Sequence, residues 1–570
     1  MRLQKFLHDN HEKFNNHLTE LHQQKFLERI LNKDFTLWSD KPDEITNRLD
    51  WLFSPEEYLP RKDELENFAK EIKSENFEHV LLLGMGGSSL APEVFQSVFG
   101  NFASYPELFV LDSTHPEQIK ITEEKINLEK TLFVVSTKSG GTVETLSLMK
   151  YFFAKVKRLF GEDAGKRFVA ITDPGSKLEK IANEFSFRKI FLNNPNIGGR
   201  FSALSLFGLV PAALIGVDLK KLLSMAKRFS EETINLENFE NNYALKLGVF
   251  LGMYAEEGKD KLTMLFAGKT ASVANWTEQL VAESTGKHGK GILPVSIEKA
   301  EIPARYARDR IFVYVYLEGE DSHRLEIENL KRNGFPVSEI ALDDIYELGA
   351  LFYLWEFATA VAGHIMKINP FDQPDVESAK VAAREMTAEY LKIGELPDAG
   401  EGVFYKNSVY FPKDKVKPLN ELLPAMFCKI SECLDNYLGR NYISIHAYIA
   451  RNVENERKLA DFALYLFKKY NVAVTVGFGP RFLHSTGQLH KGDGGNGIFI
   501  QIADKPEIDL PIPNEMGSDN ADMTFDTLIR AQSLGDRKAL ISKGRKILRV
   551  EFFENLEKTL SQIIEILEKS

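Results

Sequence analysis

The chain has 570 residues, a net charge of −11, 44% hydrophobic and 27% charged residues, the composition of a soluble globular protein with room for two to four domains of about 100–200 residues each. Such an acidic balance argues against nucleic-acid binding across the surface, which needs Lys and Arg to neutralise phosphates, but it leaves room for one local basic pocket. Cys428 and Cys433 are too few and too close for a disulfide framework or a four-ligand zinc site and read as reduced thiols of a cytoplasmic protein.

The opening MRLQKFLHDNHEKF lacks the apolar core of a leader peptide, so export is not expected. Residues 1–75 carry apolar side chains at helical spacing, among them Phe6, Phe14, Leu18 and Leu21, and are predicted to be helical. From His79 the pattern changes to short apolar runs, each followed by an amphipathic stretch: HVLLLG, ELFVLD, TLFVVS and RFVAIT. That alternation predicts βαβ units and a parallel sheet over 76–235. The apolar stretch 203–217 contains Ser205, Gly208 and Pro211 and is shorter than the ~20 residues of a membrane span, so it reads as a buried helix and no membrane contact is expected. A second set, KLTMLFAG, RIFVYVYLEG and a long helix near 346–366, predicts a second α/β unit over 236–395. After the polar connector GELPDAGEG, the runs YISIHAYI, NVAVTVGFG, GIFIQIA and ILRVEFF predict a third α/β module over 396–570.

Two strand-to-helix turns are suited to an anion. In GMGGSSL (84–90) and STKSGGTVET (136–145), glycines let the backbone approach a ligand, and the following helix supplies free N–H groups and a partial positive charge. Thr137, Ser139 and Thr142 add hydroxyls fit for a phosphate monoester, although helix capping alone would also account for them. Nucleotide motifs fit less well: Ser89 stands where GxGxxG needs its third glycine, and Thr263 stands where a P-loop ending in Gly268-Lys269-Thr270 needs its first.

GMGGSSLAP, STKSGGTVET, NIGGRFS, ANWTEQLVAESTGKHGKG and NPFDQPDVESAK resemble, in order and rough spacing, the motifs of phosphoglucose isomerases over about 78–391. The last third, with GFGPRFLHSTGQLHKGDGGNG and IDLPIPN, resembles the isomerase part of bacterial transaldolase/glucose-6-phosphate isomerase fusions. Only about 75 residues precede the first predicted strand, fewer than the ~200 of a transaldolase barrel, so transaldolase activity is not expected. The resemblance implies two side-by-side sugar-isomerase domains of three-layer αβα type with parallel sheets, joined here by a C-terminal α/β module. It further implies a sugar-phosphate substrate, no cofactor or metal, and a homodimer.

Aldose–ketose interconversion needs a carboxylate that moves a proton between C1 and C2 through an enediolate. Glu283 falls near the end of a predicted helix, where the dipole raises a carboxyl pKa toward a base's working range; a surface glutamate is the simpler reading of the residue alone, and the resemblance of AESTGKHGKG to the family's catalytic segment makes Glu283 the base. Arg200, read as opening the helix FSALSLF, is implied to stabilise the enediolate oxygen. Lys380, read as two turns into a helix begun at Pro374, is implied to bond the ring oxygen. The implied phosphate and substrate set is Gly87, Ser88, Thr137, Lys138, Ser139, Thr142, Gly199 and Gln373. No family-like histidine segment lies between Glu283 and Gln373. A near match, H-S-T-G-Q-L-H-K-G, begins at His484, so the C-terminal module is expected to supply the ring-opening histidine, His484 before the alternative His490. His288 and His364 receive no role. Dual action on mannose 6-phosphate and a non-catalytic sugar-phosphate regulator remain open at this point.

Overall fold

The structure is a computed structural model that describes residues 1–7, 10–296, 303–397, 399, 402–406, 408–411, 421 and 441–568; Cys428 and Cys433 lie outside them. The chain opens with β1 (Arg2–Leu7), which corrects the helical expectation for these first residues. The strand sits antiparallel on the edge of a distant sheet, pairing Arg2 with Ala341 and Leu7 with Val337, and local periodicity does not report such a partner. Helices His11–Gln23, Phe26–Leu31 and Lys62–Ser74 follow.

The first sheet contains β2 (His79–Gly84), β3 (Glu107–Leu111), β4 (Thr131–Ser136), β5 (Phe168–Thr172) and β6 (Lys189–Leu192). All are parallel, in the spatial order β3-β2-β4-β5-β6. Because the winding reverses between β2 and β4, a crevice opens at their carboxyl ends. The second sheet is built from β7 (Lys261–Phe266), β8 (Leu293–Val295), β9 (Arg310–Leu317) and β10 (Val337–Leu342), in the order β1-β10-β9-β7-β8. The third adds β11 (Val403–Tyr405), β12 (Ser408–Phe411), β13 (Tyr442–Tyr448), β14 (Ala473–Phe478), β15 (Gly497–Asp504) and, after the short pair β16 (Pro511–Ile512) and β17 (Met523–Thr524), β18 (Lys546–Phe552). Its order is β11-β12-β18-β15-β13-β14. Within each sheet the first four parallel strands of the unit take one winding, with the second strand beside the first on one side and the third and fourth on the other. The α/β expectation with parallel sheets therefore holds for all three.

The first and second sheets share one apolar core, centred on the helix Leu348–Ile365. By length and composition its stretch Ile345–Ile365 could cross a membrane, but that stretch is 89% buried inside the protein. The N-terminal segment is fastened to this core by Trp38 Nε1, which donates to Ala360 O at 2.9 Å, and is itself held by Tyr353 OH, which donates to Leu52 O at 3.1 Å. The buried stretch around 203–217 forms the helix Leu206–Leu214, as expected.

The helix Tyr243–Glu256 runs close against the core helix at Gly248, where a Cβ would lie 2.4 Å from Val361 Cβ and 2.7 Å from Ala358 O. Gly248→Ala should therefore destabilise the fold by ~1–3 kcal/mol through overpacking, despite the ~1 kcal/mol that alanine gains in helix propensity; a lowered urea midpoint checks this.

Candidate active site

A cavity of about 600 Å³ opens at the carboxyl ends of β2 and β4, within the range of small-molecule sites. It is lined by Gly87, Ser88, Thr137, Lys138, Ser139, Thr142, Gly199, Arg200, Glu283, Gln373, Lys380 and His484, so one space brings together every candidate residue except His490.

At one end lie the two loops. The helices Leu90–Phe99 and Val143–Phe160 that follow them have no side-chain cap from Ser89 or Thr142, so capping does not use these hydroxyls. Thr137 and Thr142 pair with each other through their Oγ1 atoms at 3.0 Å, and Ser139 Oγ accepts from Gly141 N at 3.3 Å. Lys138 donates to Asp173 and, at 2.8 Å, to Pro195 O; burial pulls its pKa below the ordinary lysine value against the opposing pull of Asp173. Gly87 permits the close approach of the Arg200 turn, since a Cβ there would lie 2.1 Å from Gly199 O.

At the other end Arg200 is buried, on the turn Gly199–Phe201. It does not open the following helix, which begins at Leu206 with Ser205 as its cap, and this corrects the expected placement. Arg200 Nε donates to Ser284 Oγ at 2.8 Å, Nη1 to Gln373 Oε1 at 2.8 Å, and Nη2 to Pro370 O and Asp372 O at 2.7 and 2.8 Å. Nη1 also stands 3.1 Å from Glu283 Oε1. The other oxygen of Glu283 accepts from Gln279 Nε2 at 3.1 Å, one helical turn earlier on Val273–Thr285. The expected helix-end dipole is thus joined by a buried cation as the neighbour of Glu283. Lys380 lies on the helix Val376–Ile393, one turn in where two were expected, and its charge helps hold Glu144 ionised.

His484 enters from the C-terminal module on the short turn Arg481–His484. Its Nε2 meets Glu144 Oε1 at 3.1 Å, and its carbonyl accepts from Gln279 Nε2 at 2.6 Å. Burial alone would raise the pKa of Glu144, but the facing imidazole, a backbone N–H and the charge of Lys380 together outweigh this and lower it. Gln532 Nε2 donates to the same Glu144 oxygen at 2.7 Å. The alternative His490 is corrected by its position: it is buried away from the cavity, with Nδ1 3.1 Å from His446 Nε2, and His446 Nδ1 is 3.1 Å from Asp536 Oδ2. Neither His288 nor His364 lines the cavity.

Sequence reasoning missed Glu144, Gln279 and Lys287. Glu144 stands inside STKSGGTVET, and Gln279 lies four residues before Glu283, the spacing of one helix face, so each carries a local signal. Lys287 Nζ is buried and donates to Asn369 O at 2.7 Å and to Asp372 O and Oδ1 at 2.6 Å, fixing the loop that carries Gln373. Burial first, and the charge of Arg200 second, bring its pKa from 10.5 down to about 8. Between these values the unfolded chain binds a proton that the folded chain lacks, so stability rises with pH across this interval, by up to ~3 kcal/mol. Wild-type protein should therefore gain stability relative to Lys287→Met between pH 8 and 10.5, as read from urea unfolding at a series of pH values.

Comparison with known proteins gives the family. The family model described as phosphoglucose isomerase matches residues 62–302. A probable glucose-6-phosphate isomerase of Methanococcus maripaludis is 32% identical over 385 residues, 60% of this chain and 85% of that protein. The glucose-6-phosphate isomerase of Carboxydothermus hydrogenoformans is 28% identical over 408 residues, 60% and 87% of the two chains. Among solved structures, a hypothetical protein from Thermus thermophilus superimposes with a TM-score of 0.59 at 25% identity, over 67% of this chain and 99% of its own. A glucose-6-phosphate isomerase from Chlamydia trachomatis gives 0.56 at 18% identity over 67% and 87%, a likeness of fold. With 85% of a 32% identical relative covered and the motifs converging on one cavity, the chain belongs to the phosphoglucose isomerase family.

Proposed function

We propose that this chain interconverts glucose 6-phosphate and fructose 6-phosphate. The observation that carries the reading is the pairing of Glu283 with Arg200 at one end of a cavity whose other end is the hydroxyl-rich crevice of the first sheet. In this reading the phosphate rests on Ser88, Thr137, Ser139 and Thr142, and Lys138 supplies charge. His484, held by Glu144, moves a proton between the C1 hydroxyl and the ring oxygen while Lys380 bonds that oxygen, so that the ring C–O bond breaks and the C1 carbonyl forms. Glu283 then takes the C2 proton and returns it to C1, while one hydroxyl proton passes from O2 to O1. Arg200 stabilises the enediolate oxygen between these steps, a role in which a fixed buried donor is worth more than in water. Glycolytic sugar phosphates are charged and stay in the compartment that makes them, which supports a cytoplasmic location.

A coupled assay on the wild-type protein tests the reaction. Glu283→Gln should lower turnover by roughly 100- to 10,000-fold, the span of general-base catalysis, while leaving the affinity for a non-reacting sugar phosphate nearly unchanged in calorimetry. Undiminished turnover in that variant would remove the assignment.

Because His484 and Glu283 line the cavity within one chain, we further propose that each chain holds a complete site even within a homodimer. Specific activity should stay constant on dilution from micromolar to nanomolar, through any dissociation seen by sedimentation. A loss of activity that tracks dissociation would show that a second copy contributes.

A further inference from the structure

Three residues before His484, on the same turn, a second side chain reaches the first sheet. Arg481 Nη1 donates to Asp112 Oδ2 at 2.8 Å, and Nη2 donates to Glu93. Asp112 immediately follows β3 and also accepts from Ser89 Oγ at 3.1 Å, next to Ser88 of the phosphate loop. Glu93 lies on the helix that leaves that loop, and its second oxygen accepts from Arg451 Nη1 at 2.9 Å. Arg451 is in turn held by Glu456 through Nε at 2.7 Å. Burial would push the Glu93 carboxyl up, but the guanidiniums of Arg481 and Arg451 outweigh it and hold its pKa at about 2. The clamp is therefore charged over the whole neutral range, and it joins the His484 turn to the loop that holds the phosphate.

Arg481 does not line the substrate cavity; it lines a separate cavity of about 410 Å³ together with Arg451, Glu278 and Ser485. Among the described residues the imidazole of His484 meets one side chain by hydrogen bond, Glu144, so its distance from the phosphate loop depends on how its turn is anchored. Two charge-assisted hydrogen bonds from one rigid fork are the kind of anchor that fixes both distance and angle.

We propose that Arg481 is a positioning residue for ring opening: its fork onto Asp112 and Glu93 sets where His484 meets the sugar ring relative to the bound phosphate. The proposal rests on the isomerase reading above and on the part His484 takes in it. It separates ring opening, which needs His484, from proton transfer at C1 and C2, which uses Glu283 and Arg200 on other elements.

A substrate that cannot close a ring separates the two steps. In 5-deoxyfructose 6-phosphate the C5 hydroxyl that would attack the carbonyl is missing, so no ring needs to be opened. Its turnover is read as solvent deuterium entering C1. For full-length Arg481→Ala, kcat with fructose 6-phosphate should fall roughly ten- to hundred-fold, the cost of a misplaced catalytic group, with KM within about threefold and with deuterium exchange into the acyclic substrate within about threefold of wild type. Arg481→Lys, which keeps the charge and one contact, should recover part of the loss. Asp112→Asn, which keeps the shape but weakens one arm, should show the same selectivity in milder form and carries the test should Arg481→Ala fail to fold. Equal losses with the cyclic and acyclic substrates, or no loss with either, would overturn the proposal. An inactive wild-type protein would instead count against the isomerase reading itself.

Discussion

A guanidinium cannot shed its charge and carries five N–H donors in a fixed plane. Once it is buried, each unmet donor costs free energy. Arg200 meets this constraint with Ser284, Gln373, Pro370, Asp372 and the Glu283 carboxylate. Three separate stretches of chain must therefore converge on one side chain: the end of the Glu283 helix, the loop that carries Gln373, and the glycine turn of Arg200 itself. The turn can approach because Gly87 leaves no Cβ against Gly199 O. Lys287, just past the Glu283 helix, adds a second buried cation that donates to the loop of Gln373, so the chemical end of the cavity is organised around positive charge in an otherwise acidic protein.

Three sheets with one winding put three reversal points in the molecule, and each has a different use. In the first sheet the carboxyl ends of β2 and β4 border the substrate cavity. In the second, the turn after β7 is filled by the protein itself: Glu320 accepts from Lys269 N at 2.8 Å, and its carboxylate occupies the space beside Gly268. In the third, the same end faces the first sheet, where Arg451 and Arg481 meet Glu93 and Asp112, and Asp504 meets His115 at 3.0 Å. The end of a parallel sheet where ligands usually gather has become a docking surface, and docking brings His484 to the cavity.

Much of this was legible in the sequence because strand-to-helix turns with glycines and hydroxyls are local signals. The runs HVLLLG, TLFVVS and GIFIQIA each became a parallel strand, and Glu283, Arg200, Lys380 and His484 stand around one space. What escaped depends on contacts between distant parts. Strand β1 exists because the edge of β10 offers a partner 330 residues or more away. The placement of Arg200 at a turn, with the helix opened instead by Ser205, follows from its buried partners and leaves no trace in spacing. His484 and His490 each follow a leucine in one short segment, and only the fold separates an imidazole facing a cavity from one enclosed by His446 and Phe499. Glu144 was overlooked because a glutamate in the first turn of a helix is ordinary until a histidine is found opposite it.

The position of His484 in the chain has a consequence in time. Glu283 leaves the ribosome about 200 residues before the turn that carries His484, an interval of ~10–40 s at usual synthesis rates, and Arg200 and the two glycine loops leave earlier still. The strands on both sides of that turn belong to a sheet whose last strand in chain order is β18, which begins only at Lys546. A nascent chain can thus form the Arg200 turn and the Glu283 helix well before the third sheet exists to bring His484 against Glu144. In the order of synthesis His484 is therefore the last part of the cavity wall to be made, after Lys380 and every other lining residue.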